Sequence, residues 1–410
     1  MDIETRFKGG VAMVNDSLTT KNTCALVLGG YVNGYSIVRE LRDEGVDKVW
    51  LFDYGTSITR YSNKILGVTA INKTAESLKN ALFKLKESFD YIVCYPTDDI
   101  QLELLLELED DIASFCFLPF NSSNLKKCLD KSIQYQFCEK LGIPYPKTEA
   151  IRNTSDFNNL DNLIFPIIIK PNTRKDMTTS VFRSLYLENI SDFDINKRNI
   201  TSYLDQGVEF LASEFIPGDD TLIYAYTGYR SKQGEILNEW IGKKLTQFPD
   251  AFGVFSSASN EAPDIILDQG RTLLNGLDLY GIAEPEFKYD KRDGQYKLME
   301  INLRSMMWHR VGNLSNVKLQ YTQWNDAIGF PIEKYQQNRD QIIHFVYMKH
   351  EILNLLSRWG YLKFFIKNIF TQNSRYFAVL NFKDMKPFFI DLLKYPRGIA
   401  ATWRKVLSKK

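Results

Sequence analysis

The chain has 410 residues, more than one ordinary hydrophobic core holds, so two or three units are expected. Hydrophobic residues at 44% and charged residues at 25% exclude a disordered or collagen-like chain. The net charge of +1 conceals an asymmetry, because residues 331–410 carry 15 Lys and Arg against 5 Asp and Glu while the rest carries 36 against 45, so an anionic partner is expected for that tail.

Residues 1–10 are polar and lack an apolar core, so no signal peptide is expected. Residues 23–28 form an apolar run ending in Gly29-Gly30. A helical pattern (Ile37, Val38, Leu41) follows, then a second apolar run, 48–52, ending at Asp53. This β-turn-α-β succession predicts the opening of a doubly wound sheet. Residues 91–94 predict a third strand, ended by Pro96-Thr97-Asp98-Asp99, with a Leu-rich helix next and the unit closing near Phe120. The Gly29-Gly30 turn lacks the G-x-G-x-x-G spacing, so it and Asp53 are read as structural rather than as a dinucleotide site.

A helix over about residues 124–141 leads into Gly142-Ile143-Pro144-Tyr145-Pro146. Six strands follow, at 165–170, 210–216, 222–229, 235–244, 284–289 and 296–304, which predicts a mostly antiparallel α+β unit. From Pro331 onward the pattern is helical and rich in aromatics, with Lys and Arg interleaved. The expected division is a doubly wound domain over 1–120, an α+β catalytic domain over 121–330 and a basic helical extension over 331–410. The apolar runs 163–169 and 364–370 are short or broken by Lys367, so no membrane span is expected. Cys24, Cys94, Cys116, Cys128 and Cys138 form no C-x-x-C pair and are read as reduced, buried thiols, which predicts a cytoplasmic protein.

The strongest local signal runs from Glu284 to Arg304. Two strand-like runs flank Arg292-Asp293-Gly294, read as a three-residue hairpin loop with Lys291 facing Gln295. That register sets Glu286 across from Glu300 and Glu284 across from Asn302, on one face with Arg304. The opposite face (Phe287, Met299, Ile301, Leu303) is apolar. Two opposed carboxylates repel unless a cation lies between them, and Mg²⁺ suits oxygen ligands shared with phosphates. A solvated hairpin face is the bland alternative.

These motifs resemble the ATP-grasp superfamily, in which two acids and an asparagine hold two Mg²⁺ ions (Mn²⁺ as a substitute) on the phosphates of ATP. The resemblance implies Glu286, Glu300 and Asn302 as the metal ligands. Lys131 and Lys170 resemble the two nucleotide lysines. Ser213-Glu-Phe-Ile-Pro-Gly-Asp-Asp220 resembles the hinge that holds adenine. Within it the backbone groups of Glu214 and Ile216, with Phe215 between them, would read the base, and Asp220 or Asp219 would hold the ribose. Gly242–Pro249 resembles a basic strand of carboxylate–amine ligases, which puts Lys243 or Lys244 near the phosphates, and Arg304 would assist the acyl phosphate. The segment 172–180 departs from the family in having no glycine, and offers Thr173, Arg174, Lys175, Thr178, Thr179 and Ser180 to close over ATP.

Residues 143–148, 215–220 and 287–294 are similar to those of bacterial D-aspartate ligases, which implies a role on envelope precursors. Polysaccharide-modifying members of the superfamily imply a uronic acid as another acceptor. The expected partners are a small amino acid and a carboxylate acceptor, lipid-linked or polymeric, with no nucleic acid. After Arg304 the run Ser-Met-Met-Trp-His-Arg310 is expected to line the acceptor site, with His309 as a base, a packing residue or a phosphate donor. The tail would touch the inner face of an anionic membrane, or pack on the catalytic body. A non-catalytic ATP sensor or scaffold is the alternative from another class.

Overall fold

The computed structural model describes residues 22–55, 57–172, 181–250, 253–370 and 374–394. The glycine-free loop expected to close over ATP (173–180) and the last basic residues (395–410) lie outside these described residues.

Five parallel strands open the chain: β1 (Thr23–Leu28), β2 (Val49–Asp53), β3 (Gly67–Ala70), β4 (Tyr91–Pro96) and β5 (Cys116–Phe117). Their order is β3-β2-β1-β4-β5. Every residue of β1 is buried, as a strand packed on both faces requires, and this explains its unbroken apolar run. Strand order reverses between β1 and β4, so the crevice of this unit lies beyond Gly29-Gly30 and Pro96-Thr97-Asp98-Asp99. Gly29 serves close packing there. Its φ is +86°, and a Cβ would come within 2.6 Å of Thr97 Oγ1. Residues 91–94 thus belong to the fourth strand rather than the third. The missed strand, Gly67-Val-Thr-Ala70, is a short edge strand with little apolar period, and Gly67 accommodates the Trp50 ring.

The expected single helix over 124–141 is two helices, Ser122–Cys128 and Lys131–Leu141. Asp130 separates them because its carboxylate accepts from Ser132 N (2.8 Å) and Ile133 N (3.3 Å), capping the second helix. A four-stranded sheet follows, ordered β6-β9-β7-β8, from β6 (Thr148–Ile151), β7 (Ile167–Pro171), β8 (Leu185–Leu187) and β9 (Phe210–Glu214). A seven-stranded sheet comes next, ordered β14-β13-β10-β11-β12-β15-β16. Its strands are β10 (Ile223–Arg230), β11 (Ile236–Phe248), β12 (Val254–Ser259), β13 (Gly281–Asp290), β14 (Gln295–Asn302), β15 (Ile343–Val346) and β16 (Ser374–Phe377).

The last two strands correct the expectation of a purely helical extension. Helices Met348–Ser357, Leu362–Phe370 and Lys386–Leu393 are present, but β15 pairs with β12 and β16 with β15. Phe345 and Val346 are fully buried, so this part of the chain completes the sheet. Beyond β16 the chain returns to the N-terminal unit. Arg39 Nη2 donates to Ala378 O (2.8 Å), and buried Asp384 accepts from Tyr35 Oη (3.1 Å), Asn63 N (3.1 Å) and Ser62 Oγ. Replacing Asp384 by Ala strands these donors and is expected to lower unfolding stability by about 1–3 kcal/mol in denaturant melts. Substituting exposed Lys386 by Ala should change it by less than about 0.5 kcal/mol. Equal effects would mean that the return segment is not fastened through Asp384.

Candidate active site

Strands β13 and β14 pair Glu286 with Glu300 and Glu284 with Asn302, as the sequence predicts. Nearer the turn the expected register fails. Asp290, not Lys291, faces Gln295, and the loop has four residues, 291–294. A bulge at Met299 absorbs the difference, because Phe287 faces Leu298 while Glu286 faces Glu300. Asp290 builds the longer loop by accepting from Arg292 N (3.0 Å), Arg292 Nε (2.9 Å) and Lys297 Nζ (2.8 Å). The Arg292 bonds foremost hold this carboxyl far below the usual range.

Two buried carboxylates, Glu284 and Glu286, are therefore gathered with half-buried Glu300. Lys244 Nζ, from β11, lies 2.5 Å from Glu286 Oε2. Burial, with Glu300 and Glu284 adding to it, pushes Glu286 up despite that ion pair. Burial also acts to raise Glu300, but Lys170, Lys131 and Lys244 outweigh it and hold Glu300 below the ordinary value. Burial lowers Lys131, whose Nζ reaches Pro171 O at 3.5 Å. The cation expected between the opposed carboxylates is thus, within the protein itself, Lys244. Lys243 points to the other face of β11 and pairs with Glu261 (3.4 Å), so of the two lysines only Lys244 joins this cluster.

Arg304 lies beside the cluster and is held by Asp99 of the N-terminal unit through Nε (2.6 Å) and Nη2 (3.1 Å). Burial opposes its charge, yet Asp99 keeps the pKa above the usual value. Asp99 was noted in sequence only as the end of a strand. No local pattern gives its partner 205 residues away.

His309 is buried and both of its ring nitrogens are engaged within the protein. Its Nδ1 accepts from Met306 N (3.2 Å), so Nε2 carries the proton and donates to Glu284 Oε2 (2.6 Å). Glu284 Oε1 also receives Asn302 Nδ2 at 3.4 Å, which turns the amide oxygen of Asn302 away from Glu284. The rest of the expected acceptor lining is also packing. Trp308 is buried edge-to-face on Trp240 (5.1 Å), and Arg310 is bound to Asp43 (2.9 Å).

The hinge needs correction as well. Glu214 N donates to Lys147 O and Phe215 N to Pro166 O, both at 2.9 Å, so these N–H groups are spent within the sheet. The Phe215 ring carries the Lys288 ammonium 5.0 Å from its centroid. Ile216 lies just beyond β9 and is buried. Both oxygens of Asp220 accept from Gln247, backbone and side chain, at 2.9 Å, so Asp220 pins the hinge to β11. Asp219 caps the next turn through Thr221 N (2.9 Å). Lys288 was not foreseen: its Nζ donates to Gly218 O (2.8 Å).

Among the described residues, no group of three or more His, Cys, Asp or Glu side chains could hold a metal by itself. Glu286, Glu300 and Asn302 supply hard oxygen donors, a partial set that fits Mg²⁺, which keeps waters and shares phosphate oxygens. Lys131, Lys170 and Lys244 offset the acids, Lys244 by its pair with Glu286 and all three by their charge at Glu300.

Comparisons with known proteins agree with this architecture. No family model matches the chain. A D-aspartate ligase from Enterococcus faecium (strain Aus0004) is 25% identical over 312 residues, 70% of this chain and 73% of that protein. The N5-carboxyaminoimidazole synthetase of Staphylococcus aureus, in complex with ADP, superposes with a TM-score of 0.61 at 13% identity, over 83% of this chain and 86% of that one. The L-amino acid ligase of Bacillus licheniformis gives 0.56 at 13% identity, over 79% of each chain. The chain shares the fold of these ATP-grasp enzymes and is similar in sequence to the D-aspartate ligase. Two of these similar proteins are ligases, of D-aspartate and of L-amino acids.

Replacing His309 by Ala would leave the Glu284 carboxylate buried without its donor. The expected loss is about 1–3 kcal/mol in denaturant unfolding, partly restored by His309→Gln, whose amide can donate. An unchanged unfolding midpoint with lost turnover would instead restore the base role.

Proposed function

We propose that this protein joins an amino acid to the carboxylate of an envelope component, a uronic acid of a surface polysaccharide or a cell-wall precursor, at the cytoplasmic face of the membrane. The observation that carries this reading is the meeting of Lys131, Lys170 and Lys244 with Glu286 and Glu300, because three separate elements deliver cations to one acidic pair.

The acid's carboxylate oxygen attacks the γ-phosphorus of ATP, the bond to the bridging oxygen breaks, and ADP leaves with that electron pair. The amine nitrogen then attacks the acyl carbon, inorganic phosphate leaves, and the amine loses a proton. Lys170 and Lys131 would bind the phosphates from the four-stranded side and Lys244 from the seven-stranded side. Two Mg²⁺ ions, held by Glu286, Glu300 and Asn302 with Mn²⁺ as a substitute, would supply neutralisation of phosphate charge. Arg304, kept in place by Asp99, would face the acyl phosphate. Ile216 N–H would read adenine. The lipid-linked or polymeric state of the acceptor accounts for a basic tail on an acidic body.

Phosphate release should be measured with ATP, Mg²⁺ and a panel of D- and L-amino acids, each paired with uronic-acid glycans or peptide precursors. Release that depends on both an acid and an amine is expected. Glu300→Gln should reduce it by about 10²-fold or more, the order found when one transition-state electrostatic group is removed. Nucleotide binding without release for any pair would favour the sensor, and wild-type turnover in Glu300→Gln would remove the acidic pair from the site.

A further inference from the structure

The C-terminal stretch sorts its charges between interior and surface. After Asp340 the described residues include three acids, Glu351, Asp384 and Asp391, all at most 3% exposed. Thr246 Oγ1 (2.6 Å), Ser256 Oγ (2.7 Å) and Tyr361 Oη (2.8 Å) donate to Glu351, and Tyr347 Oη donates to Asp391 (3.1 Å). Lys363, Lys367, Arg375, Lys383 and Lys386 are exposed. Among the described residues the solvent face of 341–394 therefore offers cations and no exposed carboxylate.

The same face exposes apolar side chains in register. Trp359 is fully exposed, and Leu362, Ile366 and Phe370 follow at 55%, 46% and 64% exposure. Leu362, Ile366 and Phe370 recur every four residues, which is one face of helix Leu362–Phe370, bordered by Lys363 and Lys367, and Trp359 sits in the turn just before it. The other side is anchored by buried Tyr361 and by Asn368, whose Nδ2 donates to Ser257 Oγ (3.1 Å). A surface helix of a globular protein turns its apolar stripe inward, so an outward stripe marks a face with a partner.

We infer that this face docks on an anionic lipid surface, the apolar stripe entering the boundary of headgroups and acyl chains while the lysines meet lipid phosphates. A second copy of the chain is the poorer occupant, because an isologous contact would bring cations against cations. No helix among the described residues is long and apolar enough to cross a membrane, so the protein would lie on the leaflet. The inference deepens the envelope reading, since a lipid-linked acceptor would be met there.

The test is co-sedimentation of the full chain with phosphatidylcholine vesicles, with and without phosphatidylglycerol. Binding is expected to the anionic vesicles at 0.1 M salt and release at 1 M, as the screening length falls from about 10 Å to about 3 Å. Ile366→Glu, and separately the pair Lys363→Glu with Lys367→Glu, should each cut binding at least about tenfold with unchanged unfolding midpoints. No binding by the full chain, or equal binding by these variants, overturns the inference. So does a concentration-dependent dimer in analytical ultracentrifugation that Ile366→Glu abolishes. Phosphate release from a soluble acceptor without vesicle binding would retain the ligase reading and reject the surface. Vesicle binding without phosphate release from any pair would do the reverse.

Discussion

Two buried carboxylates and a half-buried third on one strand pair would push one another's protonation up and strain the fold unless cations stood beside them. Lys244, Lys170 and Lys131 stand there, and each is delivered by a different element: β11 of the large sheet, β7 of the small one, and the first turn of helix Lys131–Leu141. The charges that shape the pocket therefore also hold its two sheets to a common point, Glu300. A nucleotide entering between them shares lysines already committed to carboxylates. In the proposed reaction, divalent cations entering with it would offset the added phosphate charge.

That constraint spreads outward through pairs that act on the site without lining it. The bidentate grip of Asp99 on Arg304 ties the end of β14 to the switch point of the N-terminal sheet, so movement of that unit is felt where the acyl phosphate would lie. His309 works in the other direction, fixing Glu284 and, through it, the amide of Asn302. The C-terminal segment then closes the circuit. It extends the large sheet with β15 and β16 and returns to grip the N-terminal unit through Asp384.

Residues that announce themselves by local period were legible in the sequence. The opposition of Glu286 and Glu300 followed from strand alternation, although the turn was counted one residue short and the bulge at Met299 restored the pairing. Lys131, Lys170 and the basic strand were singled out by family resemblance rather than by local period. The choice of Lys244 over Lys243 was not, because it depends on which face of β11 meets β13 and β14. The partners of Asp99, His309 and Asp220 were hidden for the same reason. Each is set by a contact between elements far apart in sequence, where neither spacing nor composition carries information. Asp220 has the same residue type a ribose ligand would have, and only Gln247 reveals that both its oxygens are taken.

The excess positive charge of the tail has a structural origin that composition alone does not disclose. In the candidate site, the acids are matched by buried Lys244 and half-buried Lys131 and Lys170, and the cluster is nearly neutral. In the tail, Glu351 is matched by hydroxyls of Thr246, Ser256 and Tyr361, and Asp384 by Tyr35, Ser62 and a backbone N–H. Neutral donors satisfy those two carboxylates, and only Asp391 draws a cation inward, taking Lys349 (3.5 Å) beside Tyr347, so most basic side chains of the described stretch stay at the surface. The segment can thus be both a packed part of the fold and a strongly basic face. The alternatives posed by its composition, structural tail or binding tail, are not exclusive, because burial of its acids produces both.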